Sequence, residues 1–262
     1  MTDAVDVSDA APAANTASAE DRTAASLVEK LNVDKATAMR FSRARKGDLA
    51  KAESFLAADI KWRTETKPEA VSQADVSLAL PSGCWRLLGA TEGGFQVLFI
   101  QLGLWNPGDY DTDEYGRYVM YFLEAMCKLG ERFIVVFDMK GWKLSHAWHM
   151  KKISRLVSTL QDHYPERLEK ALLMRAPGIF SGAWTVIKGF IDPVTVKKVA
   201  FVASGAEAET AALQACQAWS VVPKCYNGGS DAEAPVPNIP GEKNIEGAPP
   251  LVPASTPAST PR

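Results

Sequence analysis

The chain has 262 residues, 47% of them hydrophobic, with 29 Lys and Arg against 31 Asp and Glu. That is length enough for one large α/β domain or two small ones with a sizeable core. Five acids in residues 1–21 and four in 231–262 leave 27 bases against 22 acids between them, too mild an excess for nucleic acid but suited to brief contact with an anionic membrane surface.

Residues 1–22, rich in Ala, Ser, Thr and Asp, lack periodic large apolar positions and are expected to be disordered. Their first 21 positions carry acids and no base, which argues against a secretory signal or a transit peptide. From 23 to about 66 the pattern is helical. Leu49, Ala52, Phe55, Leu56 and Ile60 recur at helical spacing, and Gly47-Asp48 reads as a helix break followed by an N-cap. A small all-helical bundle is expected there.

After a loop containing Pro68 and Pro81, strands and helices alternate. Strands are predicted at 95–101, 133–138, 171–174 and 197–203, and helices at 111–129 (closed by Gly130), 145–162 and 178–190. The run Phe133-Ile-Val-Val-Phe-Asp138 is what a strand buried on both faces requires. Such alternation implies an α/β fold with a mainly parallel sheet and crossover helices. The helix at 178–190 is unusual. Ile179, Phe180, Ala183, Trp184, Val186, Ile187, Phe190 and Ile191 leave only Ser181, Thr185 and Lys188 polar. A surface helix has a wider polar face, so this one is either sandwiched in the core or meets something apolar. Periodicity alone favours the core.

Half of the 16 prolines fall in 231–262, a segment expected to be extended and disordered. No apolar stretch approaches the ~18 residues of a membrane-spanning helix, so a soluble chain is expected. Cys84, Cys127, Cys216 and Cys225 show no ligand spacing and read as reduced thiols. His146 and His149, three apart but without carboxylates or cysteines beside them, are too few for a metal. There is no G-x-S-x-G elbow, no phosphate loop and no G-x-G-x-x-G. No catalytic residue, metal or cofactor is therefore expected.

Seven segments follow one another in a particular order: Phe41-Ser-Arg-Ala-Arg-Lys-Gly-Asp48, Lys61-Trp-Arg63, Val136-Phe-Asp-Met-Lys-Gly141, Gln161-Asp-His-Tyr-Pro-Glu-Arg-Leu168, Arg175-Ala-Pro177, Lys188-Gly-Phe-Ile-Asp-Pro-Val-Thr-Val-Lys-Lys198 and Val222-Pro-Lys-Cys-Tyr-Asn-Gly-Gly229. In this order the chain resembles the CRAL-TRIO family, the Sec-fourteen-like lipid-exchange proteins. The resemblance implies a helical N-terminal domain at 23–70 and a lipid-binding lobe at 75–230, whose sheet floors an apolar pocket under a mobile gate helix. It moves the apolar helix from core to gate, with Phe180, Trp184, Ile187 and Phe190 as gate residues. Each buried methylene contributes ~0.8 kcal/mol, so an acyl chain of about sixteen carbons leaves a bilayer only for an equally dry site.

By the same resemblance Arg45, Lys46, Glu166, Thr195 and Lys198 would hold an inositol phosphate. Plainer readings stand beside this. Arg45 and Lys46 could be a solvated helix end, Glu166 a surface ion pair with Arg167, and Thr195 a turn residue after Asp192-Pro193. Strand alternation would turn only one of Lys197 and Lys198 inward. Lys143 and Ser145 fall where family members seat a second lipid head group, and the Lys143 ammonium would repel choline. The resemblance thus implies a monomeric, cytoplasmic, peripherally membrane-associated lipid-transfer protein. Its bound ligand would be one phospholipid, phosphatidylinositol first. The alternatives are a lipid-sensing adaptor that engages a protein partner through its Pro-rich tail, and a carrier of a retinoid- or tocopherol-like molecule.

Overall fold

The structure, a computed structural model, describes residues 17–251; what the sequence predicts for 1–16 and 252–262 lies outside the described residues. Two compact units divide between Ala58 and Asp59.

In the smaller unit, α1 (Ala19–Leu31) and α2 (Lys35–Ala44) lead into α3 (Leu49–Thr66), which continues past the division. Disorder through residue 22 is corrected here. Ser18 and Asp21 form a reciprocal capping box that starts α1 at Ala19. Ala24, Leu27, Ala38, Phe41, Ala52 and Leu56 make the apolar interior. Gly47 has φ +75°, and a Cβ there would lie 2.8 Å from the Ala19 backbone, so the tight α2–α3 corner requires glycine. Its carbonyl accepts from the Thr23 hydroxyl at 2.7 Å.

The larger unit is built on a sheet of β1 (Trp85–Ala90), β2 (Gln96–Gln101), β3 (Phe133–Asp138), β4 (Leu168–Met174) and β5 (Val199–Val202), in that spatial order. β1 runs antiparallel to β2 and the other pairs are parallel. This is the mainly parallel α/β sheet expected. Strand alternation gives the sheet two apolar faces. Leu98, Ile100, Phe133 and Val135 face α4 (Thr112–Leu129), through Tyr118, Val119, Phe122 and Met126, and α5 (Met150–His163), through Ile153, Leu156 and Leu160. Val97, Phe99, Ile134, Val136, Leu172 and Met174 face Leu213 of α8 (Ala206–Ala215) and the following Ala218, Val222 and Tyr226. No helix among the described residues is long and apolar enough to cross a membrane.

Several boundaries differ from expectation. The predicted helix at 145–162 divides into a 3-10 turn, Leu144–His149, and α5. The strand predicted from 197 begins at Val199, because Asp192 caps a short helix, α7 (Pro193–Lys198), by accepting from the Val194 and Thr195 N–H groups at 2.9 Å. β4 starts three residues early, at Leu168, with Glu169 paired to Arg132.

The largest correction concerns 231–262, expected to be disordered throughout. Residues 231–251 instead form a strap along the β1 edge. Val236 and Ile239 are buried. The Pro237 carbonyl accepts from the Leu87 N–H at 3.2 Å, and Asn238 Nδ2 donates to the Leu87 carbonyl. Arg86, only 2% exposed, donates to the carbonyls of Gly83, Ala234 and Pro249. A Pro-rich segment packs when a distant partner supplies donors for its carbonyls.

Candidate functional site

The end of the sheet at β3, β4 and β5 carries an apolar cluster of Met139, Trp142 and Leu173, with Phe137 and Val199 against it. Over this cluster lies α6 (Phe180–Lys188). Phe180, Trp184 and Ile187, at i, i+4 and i+7, share one face. The Phe180 ring lies 5.2 Å from Trp142 and 6.2 Å from Phe201, and Trp184 lies 5.3 Å from Phe201. The outward side is mixed: Ile179 (61% exposed) and Val186 (52%) share it with Ser181, Gly182, Thr185 and Lys188, all exposed. The core-helix reading given by periodicity alone is thereby overturned: α6 packs one face on the sheet end and exposes the other, where Ile179 and Val186 are the apolar part. Phe190 lies beyond the helix and is exposed. Its carbonyl accepts from Gln161 Nε2 at 3.1 Å, and Gln161 Oε1 accepts from the Asp192 N–H at 2.6 Å. One α5 side chain thus clips the chain on leaving α6.

The residues mapped to a head group divide between the units. In the smaller one, the Arg45 guanidinium stacks 3.7 Å over Phe55 and donates to the Ala44 carbonyl, while Lys46 is exposed with φ +53°. In the larger one, Glu166 occupies a left-handed turn (φ +59°) before β4. Thr195 and Lys198 lie one helical turn apart on α7, and Lys198 Nζ donates to the Leu168 carbonyl at 2.8 Å. Lys198 is therefore placed by a helix, not by strand alternation. Its ammonium reaches the strand two residues beyond Glu166 and has two N–H groups left for another acceptor.

Lys143, just before the 144–149 turn, and Ser145, on it, are both exposed. The turn is held from beneath by His146, whose Nδ1 accepts from the Lys143 N–H at 3.2 Å, between Trp105 and Trp142. Burial, then the charges of Lys143 and His149, push the His146 pKa below its usual value. The unfolded chain therefore binds the proton more readily, and this turn loses stability as pH falls below ~6.5. Melting temperature should fall between about pH 7 and pH 5, and His146→Gln should flatten that dependence. An unchanged slope in the variant would show that His146 contributes nothing to it.

Two polar groupings are legible only in the structure. Trp62 stacks 3.6 Å from His163, Asp59 lies 2.9 Å from His163 Nδ1, and Glu124 receives both Arg63 (2.9 Å) and the Tyr164 hydroxyl (2.6 Å). The segments Lys61-Trp-Arg63 and Asp162-His-Tyr164 thus converge through one internal network. At the carboxyl ends of β2 and β3, Asp138 pairs with Arg175 at 3.0 Å, and Gln101 binds the Tyr226 hydroxyl. Burial raises the Asp138 pKa while Arg175 opposes the rise. The one sequence signal for it was an acid closing an apolar strand. Among the described residues, no group of three His, Cys, Asp or Glu is placed to hold a metal ion.

A family model described as CRAL/TRIO domain matches residues 80–228, more than half of the chain. The chain is 29% identical over 190 residues to phosphatidylinositol transfer protein CSR1 of Eremothecium gossypii, covering 65% of this chain and 43% of that one. It is 32% identical over 201 residues to the SEC14 cytosolic factor of Candida glabrata, covering 69% and 67%. The crystal structure of Sfh5 matches with a TM-score of 0.64 at 19% identity, over 85% of this chain and 80% of that one, which shows a shared fold. The chain therefore spans less than half the length of the first relative and two thirds of the second. By the extent of the family match and the fold that accompanies it, the chain belongs to the CRAL/TRIO domain family.

Proposed function

We propose that this chain carries a single phospholipid, phosphatidylinositol first, between membranes, performing no covalent chemistry on it and using no cofactor. The observation that carries the proposal is α6, whose apolar inner face lies above an apolar sheet end while Ile179 and Val186 stand exposed on its outer side. Such a helix can cover acyl chains with the Phe180–Trp184–Ile187 face and meet a bilayer with the Ile179–Val186 side. The names of the two relatives, a phosphatidylinositol transfer protein and a SEC14 cytosolic factor, support the same reading. It makes the protein a cytoplasmic, peripherally membrane-associated monomer. The adaptor reading is less favoured, because Pro237-Asn-Ile-Pro240 is engaged along β1.

Glu166, Thr195 and Lys198 would hold the inositol phosphate, with Lys198 supplying a charge-assisted contact of ~1.5–3 kcal/mol. Arg45, in the smaller unit, already stacks on Phe55. Lys198→Ala should lower phosphatidylinositol loading from mixed vesicles by roughly ten- to a hundredfold, and loading of other phospholipids by less than a few-fold. Equal loss of every lipid would make Lys198 structural, through its bond to Leu168. No loss of any would remove it from the site.

A further inference from the structure

The most exposed large apolar side chain among those described is not on α6. Trp148 is 82% exposed and Leu144 60%, both on the 144–149 turn. The turn itself is anchored: His146 is buried, and Ala147 packs against the cluster that also holds Phe180 and Trp184. Two large apolar groups thus stand in solvent on a turn that packs against the same cluster as the inner face of α6. An indole has an apolar body and a polar N–H, the combination enriched at membrane–water interfaces. The charge around it is one-sided. From Met139 to Gln161 there is no Asp or Glu, against Lys140, Lys143, Lys151, Lys152 and Arg155. Lys152 is spent internally, its ammonium bound to the Pro107 and Tyr110 carbonyls. Lys143 and Lys151, which bracket the turn, are exposed.

We propose that the 144–149 turn is a membrane anchor distinct from the lid helix. Trp148 and Leu144 enter the boundary between head groups and acyl chains of an anionic leaflet, and Lys143 and Lys151 draw the turn to its surface. Lys143 then meets the head groups of the bilayer and not that of a carried lipid. The proposal rests on the lipid-carrier reading for the need to meet a bilayer at this end of the sheet.

The test is flotation of the full chain with vesicles of phosphatidylcholine alone and with about one third phosphatidylserine. Bound lipid is measured on the same protein by mass spectrometry. Trp148→Ser should weaken partition to anionic vesicles by roughly tenfold or more, and Trp148→Phe should keep most of it. Neither should shift the melting temperature, since the side chain is in solvent. Lys143→Glu with Lys151→Glu should remove the preference for anionic vesicles, roughly fivefold or more per lysine. Trp148→Ser binding anionic vesicles as tightly as the unaltered chain overturns the anchor, as it would if the turn docks a protein; so does a charge reversal without effect. If the unaltered chain holds no lipid yet shows these losses of partition, the carrier reading fails and the anchor stands.

Discussion

A chain ending at Ser230 is expected to lose more than about 5 kcal/mol of stability and to unfold or aggregate near physiological temperature. Three losses combine. Burial of the Val236 and Ile239 side chains contributes ~1.5–3 kcal/mol each. Arg86 would keep the Gly83 carbonyl and lose those of Ala234 and Pro249, hydrogen bonds from a charged donor that contribute ~1.5–3 kcal/mol each. Leu87 would lose partners for both its N–H and its carbonyl, opening the β1 edge to pairing between chains. Thermal and urea melts of the truncated and full chains decide it. A truncated chain melting within a few degrees of the full one would mean that the strap merely rests on the lobe.

Val186→Asp is expected to slow lipid exchange by roughly a hundredfold while leaving the melting temperature nearly unchanged. Val186 is half exposed on the outer side of α6, so the folded, closed protein tolerates a charge there. A carboxylate carried into hydrocarbon costs ~2.5–3.5 kcal/mol, and that cost falls on the open, membrane-bound state. Ile187→Asp or Trp184→Asp, on the inner side, should slow exchange and also lower stability, because these residues pack against the sheet cluster. The difference between the two sides separates a lid from a packed helix. Exchange by Val186→Asp at the unaltered rate would mean that the outer side of α6 never meets the bilayer.

Local signals in the sequence located the centre of the fold well. The apolar run 133–138 is β3 to the residue, and Asp111 and Gly130 bracket α4 as N-cap and C-cap. What escaped was non-local. β1 carries a buried arginine, which breaks any apolar signature, and the carbonyls that make it tolerable lie about 150 positions away in the strap. For the same reason the strap read as a solvated tail: its composition shows the prolines but not the donors waiting at β1. At 197–198 a strand was expected to begin, yet the Asp192–Pro193 cap, a local signal given too little weight, makes a helix through Lys198. For the site, spacing revealed which residues of α6 share a face, but not that the other face is exposed. The head-group roles proposed for Glu166, Thr195 and Lys198 rest only on resemblance, since nothing in their local patterns distinguishes a head-group contact from a turn and a helix end.

The central claim is that the chain holds one phospholipid. Native mass spectrometry of the full protein, purified without detergent and followed by release of the ligand, tests it most directly. The account predicts a chain carrying one phospholipid, with phosphatidylinositol enriched over its share of the membranes from which the protein was taken. A chain that emerges empty and stays empty after incubation with phosphatidylinositol vesicles, or that holds a retinoid- or tocopherol-like molecule instead, would contradict it.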